Sequence, residues 1–170
     1  MIVRKVDFYC GAFLSYLITN KVEPTLFEAG DKSKILRFTI GQYDYKAFLK
    51  YSTKPKASFK ADKTSTRWDT IFTEKEMGFL TQYPEKERKN IVVIVCTDEK
   101  MKNTFFAVID YDDAVRCLGN DPVNKQRRIS VSHLKKSPKI DVYGTAISDK
   151  NACQYDYNCD NYFGFGGQAE

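Results

Sequence analysis

The sequence has one histidine, His133, and one tryptophan, Trp68, in 170 residues. A single histidine argues against a histidine-rich zinc site. Its neighbour Ser132 offers no nucleophilic dyad, because adjacent residues on a strand point to opposite faces. The five cysteines, Cys10, Cys96, Cys117, Cys153 and Cys159, are odd in number and scattered, which makes a poor disulfide framework. Cys10, Cys96 and Cys117 lie in apolar runs, so the expectation is buried free thiols in a reducing, cytoplasmic setting. No glycine-rich phosphate loop follows a strand; the glycines of residues 164–167 precede no helix. Long apolar runs are missing too. Residues 8–18, FYCGAFLSYLI, follow Arg4 and Lys5 in the outline of an export signal. Asp7 interrupts that outline, no small-x-small cleavage site precedes Glu23 and Pro24, and the run is too short to cross a bilayer. It reads as an amphipathic core helix, and no membrane is expected as a partner.

What is present is aromatic and strand-forming: 12 Phe, 11 Tyr and 42% hydrophobic residues in a chain long enough to bury a core without metal or disulfide. Val6, Cys10, Phe13, Leu14 and Leu17 recur at helical spacing over residues 6–19. Residues 23–33 read as a connection, with Leu26 and Phe27 tucked inward. Leu36, Phe38 and Ile40 then alternate with polar residues, as do Tyr45, Ala47 and Leu49, predicting a hairpin closed by a four-residue loop at 41–44. In that register Ile40 faces Tyr45 and Leu36 faces Leu49. Residues 73–76, TEKE, form a capping box that starts a helix running to about residue 83. IVVIVC at 91–96 is a central strand buried on both faces, 104–109 is a second, and Asp110 or Asp112 caps a short helix ended by Gly119. Short strands follow at 128–132 and 140–144. The expected fold is α+β: one domain over 1–150, with a mixed, mainly antiparallel sheet of six to seven strands and the two longer helices packed on it. Residues 151–170 are an aromatic, glycine-rich tail, either poorly ordered or laid over the body.

Charge is the uneven feature. Residues 31–68 hold ten Lys and Arg against three Asp and Glu, a net +7, whereas the whole chain carries +5. Residues 119–140 hold a further +5. On the hairpin, Arg37, Lys46, Phe48 and Lys50 share the face opposite the apolar one and are expected to point outward. Lys54, Lys56, Lys60, Lys63 and Arg67 extend that face, and Arg127, Arg128, Lys135 and Lys136 join it if the two basic segments meet. Clustered cations neutralise phosphates and an exposed ring adds stacking, so the leading expectation is a non-enzymatic nucleic-acid-binding module that takes DNA or RNA. The alternative partner for a lysine face is an acidic protein, as for an inhibitor or immunity-type protein.

Asp44-Tyr45-Lys46, with Glu28 or Asp31 upstream and the order helix, hairpin, helix, apolar strand over residues 6–96, resembles the core of the PD-(D/E)xK nucleases. That resemblance implies a nuclease with Asp44 and one earlier carboxylate, Asp31 or Glu28, around Mg²⁺ and Lys46 beside the attacking water. The chain departs from it in lacking a Pro-Asp and in placing Asp44 at a turn instead of mid-strand, so Asp44 reads as a turn former before a metal ligand. Outside this alternative no cofactor or metal is expected. The segments YCGAFLSYLI, FLKYSTKP, IVVIVCTDE and RISVS are also similar to a family of small uncharacterised bacterial proteins, which implies a compact α+β domain and no particular activity.

Overall fold

The computed structural model describes residues 2–28, 32–60, 62–82, 84–120 and 126–167. The first helix, α1 (Lys5–Thr19), buries Val6, Tyr9, Cys10, Phe13 and Leu17, the stripe its spacing predicts. Asp7 in its first turn accepts from the Arg4 amide at 3.0 Å and faces the buried Lys34 ammonium at 2.7 Å, which ties the helix start to the sheet beneath it. Ten strands follow among the described residues: β1 (Thr25–Glu28), β2 (Lys34–Ile40), β3 (Tyr43–Ser52), β4 (Lys56–Lys60), β5 (Lys63–Phe72), β6 (Lys89–Cys96), β7 (Phe105–Asp110), β8 (Arg127–Leu134), β9 (Lys139–Gly144) and β10 (Cys153–Asp156). Three further helices, α2 (Glu74–Thr81), α3 (Tyr111–Leu118) and α4 (Asp160–Phe163), complete the chain with two short 3₁₀ turns. None of the described helices is long and apolar enough to cross a membrane.

The fold is α+β, but its strands form two sheets of five, not one of six or seven. The first sheet has the order β1-β2-β3-β6-β7 and the second β10-β9-β8-β5-β4. All described pairings are antiparallel except β3 with β6. A parallel pair cannot be joined by a tight turn. The chain between β3 and β6 therefore leaves the first sheet, lays down β4 and β5 in the second, and returns through α2. The β2–β3 hairpin is closed by two residues, Gly41 and Gln42, with Gly41 at φ +60°. Ile40 accordingly pairs Tyr43, and Leu36 pairs Ala47. The register differs by two residues from the one the alternation predicts. A shift of two preserves faces, so Leu36, Phe38, Tyr45, Ala47 and Leu49 still share one side. Asp44 sits within β3 opposite Thr39, whose hydroxyl donates to it at 2.6 Å; it is not a turn residue.

Two cores result. One lies between α1 and the first sheet, where Phe13 and Leu17 meet Phe38, Leu49, Val93 and Val95. The other lies between the sheets, where Phe48, Val92 and Ile94 meet Trp68, Phe72, Ile129, Val131 and Val142. β6 alternates between them and is buried at every residue from Ile91 to Cys96. α2 carries the predicted capping box: the Thr73 hydroxyl accepts from the Glu76 amide at 3.2 Å and Glu76 accepts from the Thr73 amide at 2.9 Å. Residues 23–33 are not only a connection, since β1 pairs with β2, and Leu26 stands 44% exposed instead of inward.

Residues 151–167 belong to the body. β10 pairs with β9, and Phe163 of α4 is buried in the α1 core against Phe38 and Tyr45 at ring centroids 5.9 and 5.5 Å away. Phenol–carboxylate hydrogen bonds fasten the segment: Tyr155 to Asp113, Tyr162 to Asp110, and Tyr16 to Asp160. Burial and these carboxylates together push the three phenols up, so they remain donors. Asp110 and Asp113 at the start of α3 are thereby engaged, and Asp110 stands at the N-cap position without a side-chain cap bond. Phe163→Ala should destabilise the protein by about 3 kcal/mol, the usual cost of emptying a buried phenylalanine site. Urea unfolding measures this; a loss below about 0.5 kcal/mol would show that the C-terminal segment does not close the α1 core.

Candidate nucleic-acid interface

The hairpin face expected to point outward is covered. Phe48 is fully buried between the sheets, and Lys46 and Lys50 are 8% and 3% exposed. Their charges are neutralised by residues far off in the chain. The Lys50 ammonium donates to Glu76 at 2.7 Å and to the Ile71 carbonyl at 2.6 Å, and stands over the Phe72 ring at 4.7 Å. Burial lowers its pKa, and Glu76 opposes that shift without cancelling it. Lys46 donates to Glu85 at 3.1 Å, and Arg37 binds the same carboxylate. Burial would raise the pKa of Glu85, but hydrogen bonds and charge from Lys46 and Arg37 outweigh it and hold the group below the ordinary carboxylate range. Arg127 is also buried, donating to the Leu118 carbonyl at 3.2 Å. Lys46, Phe48 and Lys50 serve the fold, because a sheet covered on both sides leaves no solvent face for β3, whereas the Arg37 side chain on β2 remains 36% exposed.

The nuclease arrangement is not assembled by the described residues. The Lys46 ammonium is held by Glu85, Asp44 pairs with Thr39, and no group of three His, Cys, Asp or Glu among the described residues is placed to hold a metal. Glu28 lies in β1 with its side chain outside the described set, and Asp31 lies outside the described residues. Burial pushes the Cys10 and Cys117 thiols up to about 12 and Cys159 up to about 11, away from the thiolate form.

The rest of the two basic segments does come together, in the second sheet. β4 pairs with β5 and β5 with β8, so residues 56–67 and 127–134 are neighbours. Lys56, Arg67 and Arg128 lie on its outer face. There Asp69 accepts from Lys56 at 3.2 Å, from Ser130 at 2.7 Å, and lies 3.1 Å from Arg67. Burial alone would raise the pKa of Asp69, but these partners lower it. Lys54 is exposed ahead of β4, and Lys63, Lys135 and Lys136 are exposed near the end where the β4–β5 and β8–β9 connections lie, the Lys135 amide donating to the Thr64 carbonyl at 3.0 Å. Lys60 ends β4 there, its side chain outside the described set. No carboxylate among the described residues lies within 4.0 Å of the Lys54, Lys63, Lys135 or Lys136 ammonium.

At this end β4, β5 and β8 overhang the first sheet. Phe59 pairs with Thr64, and so shares the face of Ala57, Thr66 and Trp68; it is nevertheless 69% exposed. Behind it opens a cleft of about 440 Å³ lined by Pro55, Ala57, Thr66, Trp68, Asp98, Asn103, Phe105, His133 and Tyr157. Its walls are rings in mutual contact. His133 stacks on Tyr157 with centroids 4.0 Å apart and planes 13° from parallel, Tyr157 lies 4.8 Å from Phe105, and Trp68 meets Phe105 edge-on at 5.0 Å. Polar anchors hold them: the Trp68 indole donates to the Thr97 carbonyl at 3.0 Å, and His133 Nε2 lies 2.8 Å from the Ser137 carbonyl. A carbonyl only accepts, so Nε2 carries a proton. The loop of residues 97–104 forms the far lip, where Asp98 Oδ1 accepts from the Lys100 and Lys102 amides at 2.8 and 3.2 Å. Both lysines are exposed.

Phe59, Trp68, Asp98, Asn103, Phe105, His133 and Tyr157 were not among the sequence candidates. The signal for them is the pairing of Ala57 and Phe59 with Thr66 and Thr64, which makes residues 56–67 a hairpin that outruns its cover. No protein-family model, curated protein or solved structure matches this chain.

The Glu85 carboxyl has a folded pKa below its ordinary value of about 4.3, so its contribution to stability is complete above that value and is lost as pH falls through the folded one. Glu85→Gln should therefore lower the urea midpoint at pH 7 and flatten its decline on going to pH 3. An unchanged pH dependence would show that Glu85 does not neutralise Arg37 and Lys46.

Proposed function

We propose that this chain is a non-enzymatic nucleic-acid-binding module whose working surface is the overhanging end of the second sheet, not the β2–β3 hairpin. One observation carries the reading: a ring-walled cleft and an exposed phenylalanine stand beside lysines that have no carboxylate partner among the described residues. Ammonium groups at Lys54, Lys63, Lys135 and Lys136, with Lys100 and Lys102 on the opposite lip, supply the sequence-independent attraction to phosphates. Phe59 and the cleft supply flat apolar surfaces for unpaired bases, each stacked base contributing about 1–3 kcal/mol. A duplex keeps its bases inside the helix and cannot use either surface, so the ligand is a single strand. The cleft volume of about 440 Å³ is within the range of small-ligand pockets and admits a nucleobase.

Trp68 is the only tryptophan and lines the cleft, so its fluorescence reports directly on occupancy. Titration with a short single strand at low salt should quench it. Log affinity should fall linearly with log salt, with a slope of about −0.7 for each phosphate contacted. Phe59→Ala, and separately Lys135→Glu with Lys136→Glu, should each weaken binding about tenfold while leaving the unfolding midpoint unchanged, since all three side chains are exposed. Unchanged fluorescence together with no salt-sensitive binding at low ionic strength would overturn the proposal.

A further inference from the structure

Four of the five cysteines are buried; Cys153, at the start of β10, is only half-buried. The sheet sets its position. β10 is an edge strand of the second sheet, and Cys153 pairs with Val142 of β9. Paired residues of neighbouring strands share a face, and Val142 belongs to the inter-sheet core. Cys153 therefore lies on the inner side of the sheet at its edge, packed against that core. Cys117, in the last turn of α3, is fully buried in the same core. Its Sγ lies 3.9 Å from the carbonyl of Val142, the residue that Cys153 pairs with. The adjacent Arg116 guanidinium reaches the Cys153 Sγ at 3.7 Å and also holds Asp113 at 3.1 Å. The two thiols are free and hydrogen-bonded to one another. Burial and the Asp113 carboxylate raise the Cys153 pKa, while the Arg116 charge and the Cys117 S–H act in the opposite direction.

We infer that Cys153 and Cys117 form an oxidation site, at which a peroxide joins β10 to α3 through a disulfide. The half-buried sulfur reacts first. The Cys153 thiolate attacks one peroxide oxygen; an S–O bond forms, the O–O bond breaks, and hydroxide leaves and takes up the proton that the thiol released. The sulfur gives up two electrons to the peroxide and becomes a sulfenic acid. The Cys117 sulfur, already its neighbour, attacks it in turn. An S–S bond forms, the S–O bond breaks, and the hydroxyl leaves as water with the Cys117 proton. The parts of the site divide the work. Arg116 places positive charge beside the sulfur that must ionise. The edge position of β10 gives access, and burial reserves Cys117 for the second step. Cys10, Cys96 and Cys159 are buried, so the reaction is confined to this pair.

The test treats the folded full chain with hydrogen peroxide, blocks the remaining thiols by alkylation and maps unreduced peptides by mass spectrometry. Two of the five thiols should be lost, the peptides holding Cys117 and Cys153 should be joined, and dithiothreitol should restore both thiols. Arg116→Gln, at an exposed side chain, should slow the loss about tenfold. Cys117→Ser should leave Cys153 as a sulfenic acid that dimedone captures. Cys153→Ser alters only a half-buried position and should keep all its remaining thiols through the same treatment. Retention of all five thiols in the unaltered chain, a bond between any other pair, or a Cys117–Cys153 bond that forms as fast in urea as in the folded chain would overturn the inference. So would thiol loss at an unchanged rate in Cys153→Ser.

Discussion

β3 lies parallel to β6 in continuous register from Tyr45–Lys89 to Ser52–Cys96, and both strands are covered on two sides. This pairing decides what the other surfaces are for. β6 meets the condition with apolar residues alone. β3 meets it with Phe48 and two lysines, so each ammonium needs a carboxylate brought from elsewhere: Glu76 from the first turn of α2 and Glu85 from the segment after it. Leaving either lysine unpaired costs several kcal/mol, because a charge in a covered site has lost its water. The placement of α2 on the inter-sheet core and the closure of the 84–90 segment over β3 are therefore linked to the charges on one strand. The largest local excess of positive charge in the sequence is in good part a structural device.

What remains of that excess is carried by exposed side chains. Once Lys46, Lys50 and Arg127 are buried and Lys56 and Arg67 are engaged with Asp69, the exposed lysines left over include Lys54 ahead of β4 and Lys63, Lys135 and Lys136 at the free end of the second sheet, and Lys100 and Lys102 of the 97–104 loop add to them. Phe59 stands 69% exposed in their neighbourhood, on the face of the second sheet that Trp68 shares. The overhang is what exposes Phe59 and opens the aromatic cleft; the same residues under a longer first sheet would be core.

Local features were legible in the sequence because local chemistry determines them. The stripe of α1, the Thr73–Glu76 capping box, the apolar run of β6 and the two faces of the hairpin all follow from spacing. Three things did not follow. Hairpin register was ambiguous by two residues, since every shift of two leaves the faces unchanged. Alternation separated Phe48 from Leu49 but could not say that both faces are covered, as that depends on a second sheet formed by strands on either side in sequence. The cleft draws on residues 55–57, 66–68, 98–105, 133 and 157, five stretches joined only by tertiary pairing. His133 looked unremarkable by itself because its meaning lies in its stack on Tyr157, in a segment with no period of its own.

The proposed nucleic-acid surface is the overhanging end of the second sheet and not the β2–β3 hairpin. Photocrosslinking tests it most directly: a single strand carrying 5-iodouracil is irradiated with the full chain and the modified peptides are mapped by mass spectrometry. Crosslinks are expected at Phe59, Trp68, His133 or Tyr157. Crosslinks confined to residues 37–50, or none under conditions where the strand binds, would contradict it.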